Sequence, residues 1–206
     1  MIIYFGISLI GLLMLLINSI LYNKEAKGKD RMYKILCVYL TLLFVVELFC
    51  HIIGFLKPNS NFFLSHYYFN FQFVLLSLFF YHLFADRRKK IFVLAMLVLV
   101  TLFLAYQYYT TPGLYWIFNI YEIGITTLLL MLYAGFSIME FNRRYSHFCF
   151  GLIIYLSCSC FIFMSGNTDL VLTTEPFIVD IWVFNSLFYI CYQVMIYREW
   201  KVLTGR

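Results

Sequence analysis

Charge is what this sequence has least of. Only 12% of its 206 residues are Asp, Glu, Lys or Arg, against about 25% in ordinary soluble domains. Proline is nearly absent, with three residues. These shortages exclude a soluble globular domain and a disordered linker. With 64% of the residues hydrophobic, the chain reads as one integral membrane domain. Alanine is scarce and glycine modest, so Gly-x-x-x-Gly contacts are not the main packing device. Aromatic residues take their place, with 24 Phe and 18 Tyr, and should hold the helices apart.

Several chemistries are missing as well. There is no His-Glu-x-x-His, no arguable Ser-His-Asp set and no Gly-rich loop to cradle a phosphate. Nothing calls for a cofactor, and an intramembrane enzyme finds no support. Glu47-x-x-x-His51 supplies two ligand types without a third, so no metal centre is expected. The six cysteines (Cys37, Cys50, Cys149, Cys158, Cys160 and Cys191) match neither a zinc site nor a disulfide framework and suit small buried hydrophobes. One disulfide among Cys50, Cys158 and Cys160 is left open. No lysine lies inside the seventh apolar run, which excludes a retinal Schiff base, and the fourth run has no arginine ladder. The first apolar run starts at residue 2 with no basic residue ahead and no small-residue cleavage site behind. It therefore reads as a membrane span rather than a signal peptide.

What is present is seven apolar runs of roughly the 17–25 residues a spanning helix needs. They cover about 2–22, 34–56, 63–85, 91–107, 114–136, 146–165 and 177–197. The expected fold is an all-α bundle of seven transmembrane helices. All of the 15 basic residues except Lys57 fall in alternate loops or the tail. The positive-inside rule then puts the N-terminus outside and the C-terminus in the cytoplasm. The run Arg87, Arg88, Lys89 and Lys90 becomes a cytoplasmic basic face that meets anionic lipid rather than nucleic acid. Tyr67, Tyr68, Tyr108, Tyr109, Tyr115, Trp116 and Trp182 cluster toward the expected outer ends, where an aromatic belt belongs.

The polar groups inside these runs carry the functional reading. A carboxylate at the bilayer centre costs about 2.5–3.5 kcal/mol on insertion scales, so it marks a site by default. Glu47 falls near the middle of the second helix, and His51 one turn on shares its face. Asn70 and Gln72 lie in the outer half of the third helix, Asn119 and Glu122 in that of the fifth, Ser157 and Ser159 in that of the sixth. Asn185 lies near the middle of the seventh. Asn18 and Gln193 are the main polar groups of the inner halves. Polar groups in lipid face the interior, pair, or line water. Those of the outer band are expected to converge on one outward-opening site that binds a ligand, an ion or a proton, with Glu47 and His51 as its floor. Interhelical hydrogen bonding is the plainer alternative for the amides. His66, His82 and His147 lie at helix ends and read as interfacial. The pattern aromatic-x-Phe-Asn recurs at Tyr67–Asn70, Trp116–Asn119 and Trp182–Asn185, always at an outer helix end.

The segments Asn119-Ile-Tyr-Glu122, Asn185-Ser-Leu-Phe-Tyr189 and Tyr197-Arg198-Glu-Trp200-Lys201 resemble short uncharacterised seven-helix membrane proteins of Bacteroidota-type bacteria. That resemblance implies a bacterial inner membrane and no established activity. Some small multi-span proteins of such bacteria are accessories of RNA-guided defence loci. The functional expectation is a non-enzymatic signalling or permeability component, with a small proton-coupled transporter as the alternative and a structural or assembly role behind both. The lipid bilayer is the expected partner, together with a second copy or another membrane or cytoplasmic protein.

Overall fold

A computed structural model describes residues 2–56, 62–140, 144–165 and 181–206. The described chain is all helical: α1 (Ile2–Lys24), α2 (Arg31–Leu56), α3 (Phe63–Leu83), α4 (Arg87–Thr110), a 3₁₀ helix η1 (Pro112–Trp116), α5 (Ile120–Met139), α6 (Ser146–Met164) and α7 (Ile181–Thr204). Six of the seven α-helices, α1 to α6, are long and apolar enough to cross a membrane. The exception, α7, carries Asn185, Gln193, Arg198, Glu199 and Lys201. Residues 177–180 of the expected seventh span lie outside the described residues.

Local chemistry sets the helix bounds. Asp86 caps α4, its carboxylate accepting from the Arg88 N–H at 2.9 Å, so the helix starts at the basic run rather than after it. The fifth helix starts later than the apolar run does. Pro112 opens a 3₁₀ turn through Trp116, and Asn119 then caps α5 by accepting from the N–H groups of Tyr121 and Glu122.

Six helices close a ring: α1 packs on α2, α2 on α3, α3 on α5, α5 on α6, α6 on α7, and α7 back on α1. The remaining helix, α4, lies outside the ring against α3 and α5. It buries only Val93, Val100 and Leu104. Leu94, Val98, Leu99, Leu102 and Phe103 are exposed along it, an apolar surface that suits lipid.

Aromatic side chains fill the middle of the ring, as the shortage of small residues foretells. Tyr39 of α2 reaches Tyr192 of α7, hydroxyl to hydroxyl at 3.1 Å. Tyr68 of α3 meets Tyr155 of α6 at 3.0 Å. The rings of Tyr155 and Tyr192 stack with centroids 5.3 Å apart. Neither hydroxyl pair joins neighbouring helices, so these long side chains bridge the ring from within. Two glycines allow close approach to α7: a Cβ on Gly151 of α6 would come within 2.7 Å of Met195 Cβ, and one on Gly11 of α1 within 2.9 Å of the Tyr189 ring.

Candidate functional site

The cluster forms at the end of the bundle where α3 and α5 begin and α4 stops, hereafter the η1 end. Glu122 sits in the first turn of α5, three residues after the cap Asn119. That is the capping-box position, from which a Glu commonly reaches back to the cap. Here the carboxylate turns toward α3 and α4 instead. It is fully buried, and both oxygens are bonded to side chains. Oε1 accepts from Asn70 Nδ2 at 2.6 Å. Oε2 accepts from the Tyr108 hydroxyl at 2.5 Å and lies 2.6 Å from His66 Nδ1. The helix N-terminus adds a favourable dipole for a carboxylate.

His66 belongs to the first turns of α3 and is buried. Its Nε2 lies 3.2 Å from the backbone carbonyl of Tyr115. A carbonyl only accepts, so Nε2 carries a hydrogen. One further proton then lies between Nδ1 and Oε2, as imidazolium and carboxylate or as imidazole and carboxylic acid. The Tyr108 hydroxyl, 2.7 Å from Nδ1 and 2.5 Å from Oε2, can turn its hydrogen to either. Asn119 braces this arrangement, donating to Gln107 Oε1 at 2.9 Å and to the Tyr108 oxygen at 3.3 Å.

An open cavity of about 650 Å³ adjoins the cluster, lined by His66, Tyr67, Asn70, Tyr108, Pro112, Tyr115 and Trp116. The Tyr67 and Tyr115 hydroxyls meet at 3.1 Å on its rim. The Tyr115 phenol is pushed above its ordinary value, first by that hydrogen bond and then by burial. Among the described residues no group of His, Cys, Asp or Glu side chains could hold a metal ion.

The expected polar band therefore does not converge on one point. Asn70, Asn119 and Glu122 come together. Glu47 and His51 do not join them: His51 Nδ1 lies 2.8 Å from the backbone carbonyl of Glu47, and its Nε2 is 2.9 Å from Ser8 Oγ on α1. The two side chains stand 3.8 Å apart, both partly exposed. Gln72 is buried in the ring and donates to Tyr39 at 3.2 Å. Asn185 is half-buried, and its Oδ1 has no hydrogen-bond partner among the described residues. Ser157 bonds the Ile153 carbonyl of its own helix. Asn18 and Gln193 bond each other at 2.9 Å. Among the described residues no two of the six cysteines form a disulfide. The aromatic-x-Phe-Asn repetition places its amides differently: Asn70 and Asn185 lie inside helices, and Asn119 is a cap.

Sequence reasoning missed His66, which it set at an interface, and Gln107. It took Tyr108 and Tyr115 for belt residues. It also passed over a second buried carboxylate, Glu199, at the opposite end of the molecule (the tail end). Glu199 accepts from the backbone N–H groups of Tyr145 and His147 at 2.9 Å each and of Phe148 at 3.3 Å. It thereby caps α6, whose start requires a left-handed Tyr145 at φ 66°. Around it, Arg144 pairs with Asp30, Lys89 with Glu140 at 2.6 Å and Arg206 with Glu25 at 3.0 Å. Of the expected basic face, Arg87 and Arg88 stay exposed.

Comparison with protein-family models, with curated proteins and with solved structures gives no match.

Proposed function

We propose that the chain is a non-enzymatic membrane protein of seven spanning helices that receives a small ligand at its η1 end and answers as a signalling or permeability component. The basic loops orient that end outward and the tail end toward the cytoplasm, in the bacterial inner membrane that the sequence resemblance implies. The observation that carries the reading is Glu122. It is a fully buried carboxylate tied to His66, Asn70 and Tyr108 beside an open cavity. A buried acid held by groups from α3 and α4 and adjoining an accessible cavity has the features of a binding site. The ion pairs of the tail end tie the α1–α2 loop to the α5–α6 loop and to the C-terminus, and α4 to the residue that follows α5. Movement at the cavity would strain them. A second copy, or a membrane or cytoplasmic protein, would read that strain.

Thr111 is exposed beside the cavity. In whole cells, Thr111→Cys should react with a membrane-impermeant maleimide from outside, above the wild-type background. Labelling only after the cells are opened would sink the orientation and the reading with it. A second reading, a small proton-coupled transporter, draws on a different observation. Polar groups occur along the bundle from Ser8, His51 and Glu47 through Tyr39, Gln72 and Tyr192 to Asn18 and Gln193. Saturable uptake into proteoliposomes driven by a pH gradient would favour it. Large unsaturated currents would favour a pore.

A further inference from the structure

The lining of the cavity selects among ligand chemistries. Three tyrosines and a tryptophan, Tyr67, Tyr108, Tyr115 and Trp116, surround it, and among the described residues no Lys or Arg lines it. Asn70 spends its amide hydrogens on Glu122 and on the His66 carbonyl, so what it offers the cavity is its carbonyl oxygen. The Tyr67 and Tyr115 oxygens add acceptors on the rim. Directly behind this lining lies the Glu122 carboxylate.

An anion would face that carboxylate with little to hold it. The first N–H groups of α5, which could have helped, are taken by Asn119. A cation instead meets ring faces, acceptor oxygens and a carboxylate. Aromatic faces attract ammonium groups through their quadrupoles, and more strongly when water is excluded.

Among the described lining residues, the group that opposes a cation is a charged His66. The proton it shares with Glu122 is the one whose loss removes that charge. Its loss leaves a neutral imidazole whose Nδ1 can accept from Tyr108, already 2.7 Å away. Tyr108 faces the pair from α4 and Tyr115 from η1, and Tyr67 lies beside His66 on α3. On adjoining helices, His51 of α2 bonds Ser8 and the Glu47 carbonyl, and Tyr155 of α6 bonds Tyr68.

We propose that this cavity takes a small organic ammonium cation, and that its binding expels the proton His66 shares with Glu122. Charge balances. The empty site holds imidazolium and carboxylate, or their neutral tautomers. The filled site holds neutral imidazole, carboxylate and the bound cation, and one proton leaves to solvent. The proposal rests on the ligand-site reading above and names its ligand class and its coupling to pH.

Trp116 lines the cavity and is one of three tryptophans in the chain, so its fluorescence reports occupancy. The purified protein, in nanodiscs of uncharged lipid, is titrated with tetraethylammonium, benzoate and glucose in parallel. Expected are a saturable signal with tetraethylammonium alone, release of one proton in weakly buffered solution, and an affinity that rises about tenfold per pH unit while the pair still holds its proton. The signal should vanish in Trp116→Phe. Glu122→Gln should bind at least about tenfold more weakly and release no proton. Should that variant fail to fold, Tyr115→Leu on the accessible 3₁₀ turn serves in its place, with binding weakened roughly three- to thirtyfold. Tetraethylammonium binding without proton release or pH dependence overturns the coupling. Saturation by benzoate or glucose but not by tetraethylammonium overturns the cation class and leaves the cavity a ligand site. Saturation by none of the three overturns the proposal, and outside labelling of Thr111→Cys then shows whether the reading beneath it also falls.

Discussion

Among the described residues two glutamates are fully buried, one at each end. They use their carboxylates in opposite ways. Glu199 accepts from the backbone N–H groups that open α6, with the His147 imidazole standing farther off, its Nδ1 3.5 Å from Oε2. Backbone amides neither titrate at ordinary pH nor change rotamer, so that arrangement is fixed by the fold and stabilises it. Glu122 accepts from side chains on α3 and α4, one of them an imidazole that shares its proton. Those partners can turn, titrate and separate. A buried acid is thus not a function in itself. The partners decide, and here they divide the molecule into a fastened end and a responsive one.

The largest effect should come from the fastened end. Glu199→Ala leaves three amides at the start of α6 without their acceptor and should cost roughly 3 kcal/mol in unfolding experiments in detergent. A loss under about 1 kcal/mol would mean that water replaces the carboxylate and that the contrast is false. Gly151→Ala tests the wall between the ends. The new methyl meets Met195 and Tyr192, and overpacking of this kind should cost about 2 kcal/mol. Glu122→Gln keeps the size of the side chain and an oxygen for Asn70. It should cost only about 1 kcal/mol, yet abolish the pH dependence of tetraethylammonium affinity. A collapse as large as that of Glu199→Ala would place Glu122 among the structural residues. The smallest effect belongs to Asp30→Asn, which breaks a half-exposed pair with Arg144 and should lower stability by less than about 1 kcal/mol.

The helices were legible in the sequence because lipid demands long apolar runs, and such runs stand out in any window. The bounds that differ have local causes. Residues 114–119 read as helix by hydropathy, whereas Pro112 and the Asn119 cap turn them into a 3₁₀ segment and a break. The seventh helix continues past 197 to Thr204 because Glu199 and Trp200 are buried there, which their charged neighbours Arg198 and Lys201 conceal.

The site was half legible. Asn70, Asn119 and Glu122 stood out as polar groups in apolar runs. Their convergence did not, because it depends on helix rotation. Glu47 and His51 looked like the centre because spacing of four residues can be read from the chain alone. The closer pair, His66 with Glu122, joins residues 56 apart, a distance no local pattern reveals. The one local signal was Asn119-x-x-Glu122, a helix-start pattern whose glutamate then found a different partner.

The position of α4 has a mechanical consequence. It stands outside the ring and buries three side chains, yet it supplies Tyr108 to the Glu122 cluster and begins at Arg87. From Tyr108 to Arg87 the helix spans about 30 Å as one rod. Its three buried side chains belong to the same apolar core as the ring, so α4 moves only by working against that one seam. A shift of Tyr108 at the cavity would be carried along the rod toward the Lys89–Glu140 pair and the exposed arginines beside it, making α4 a lever with the ring as its fulcrum.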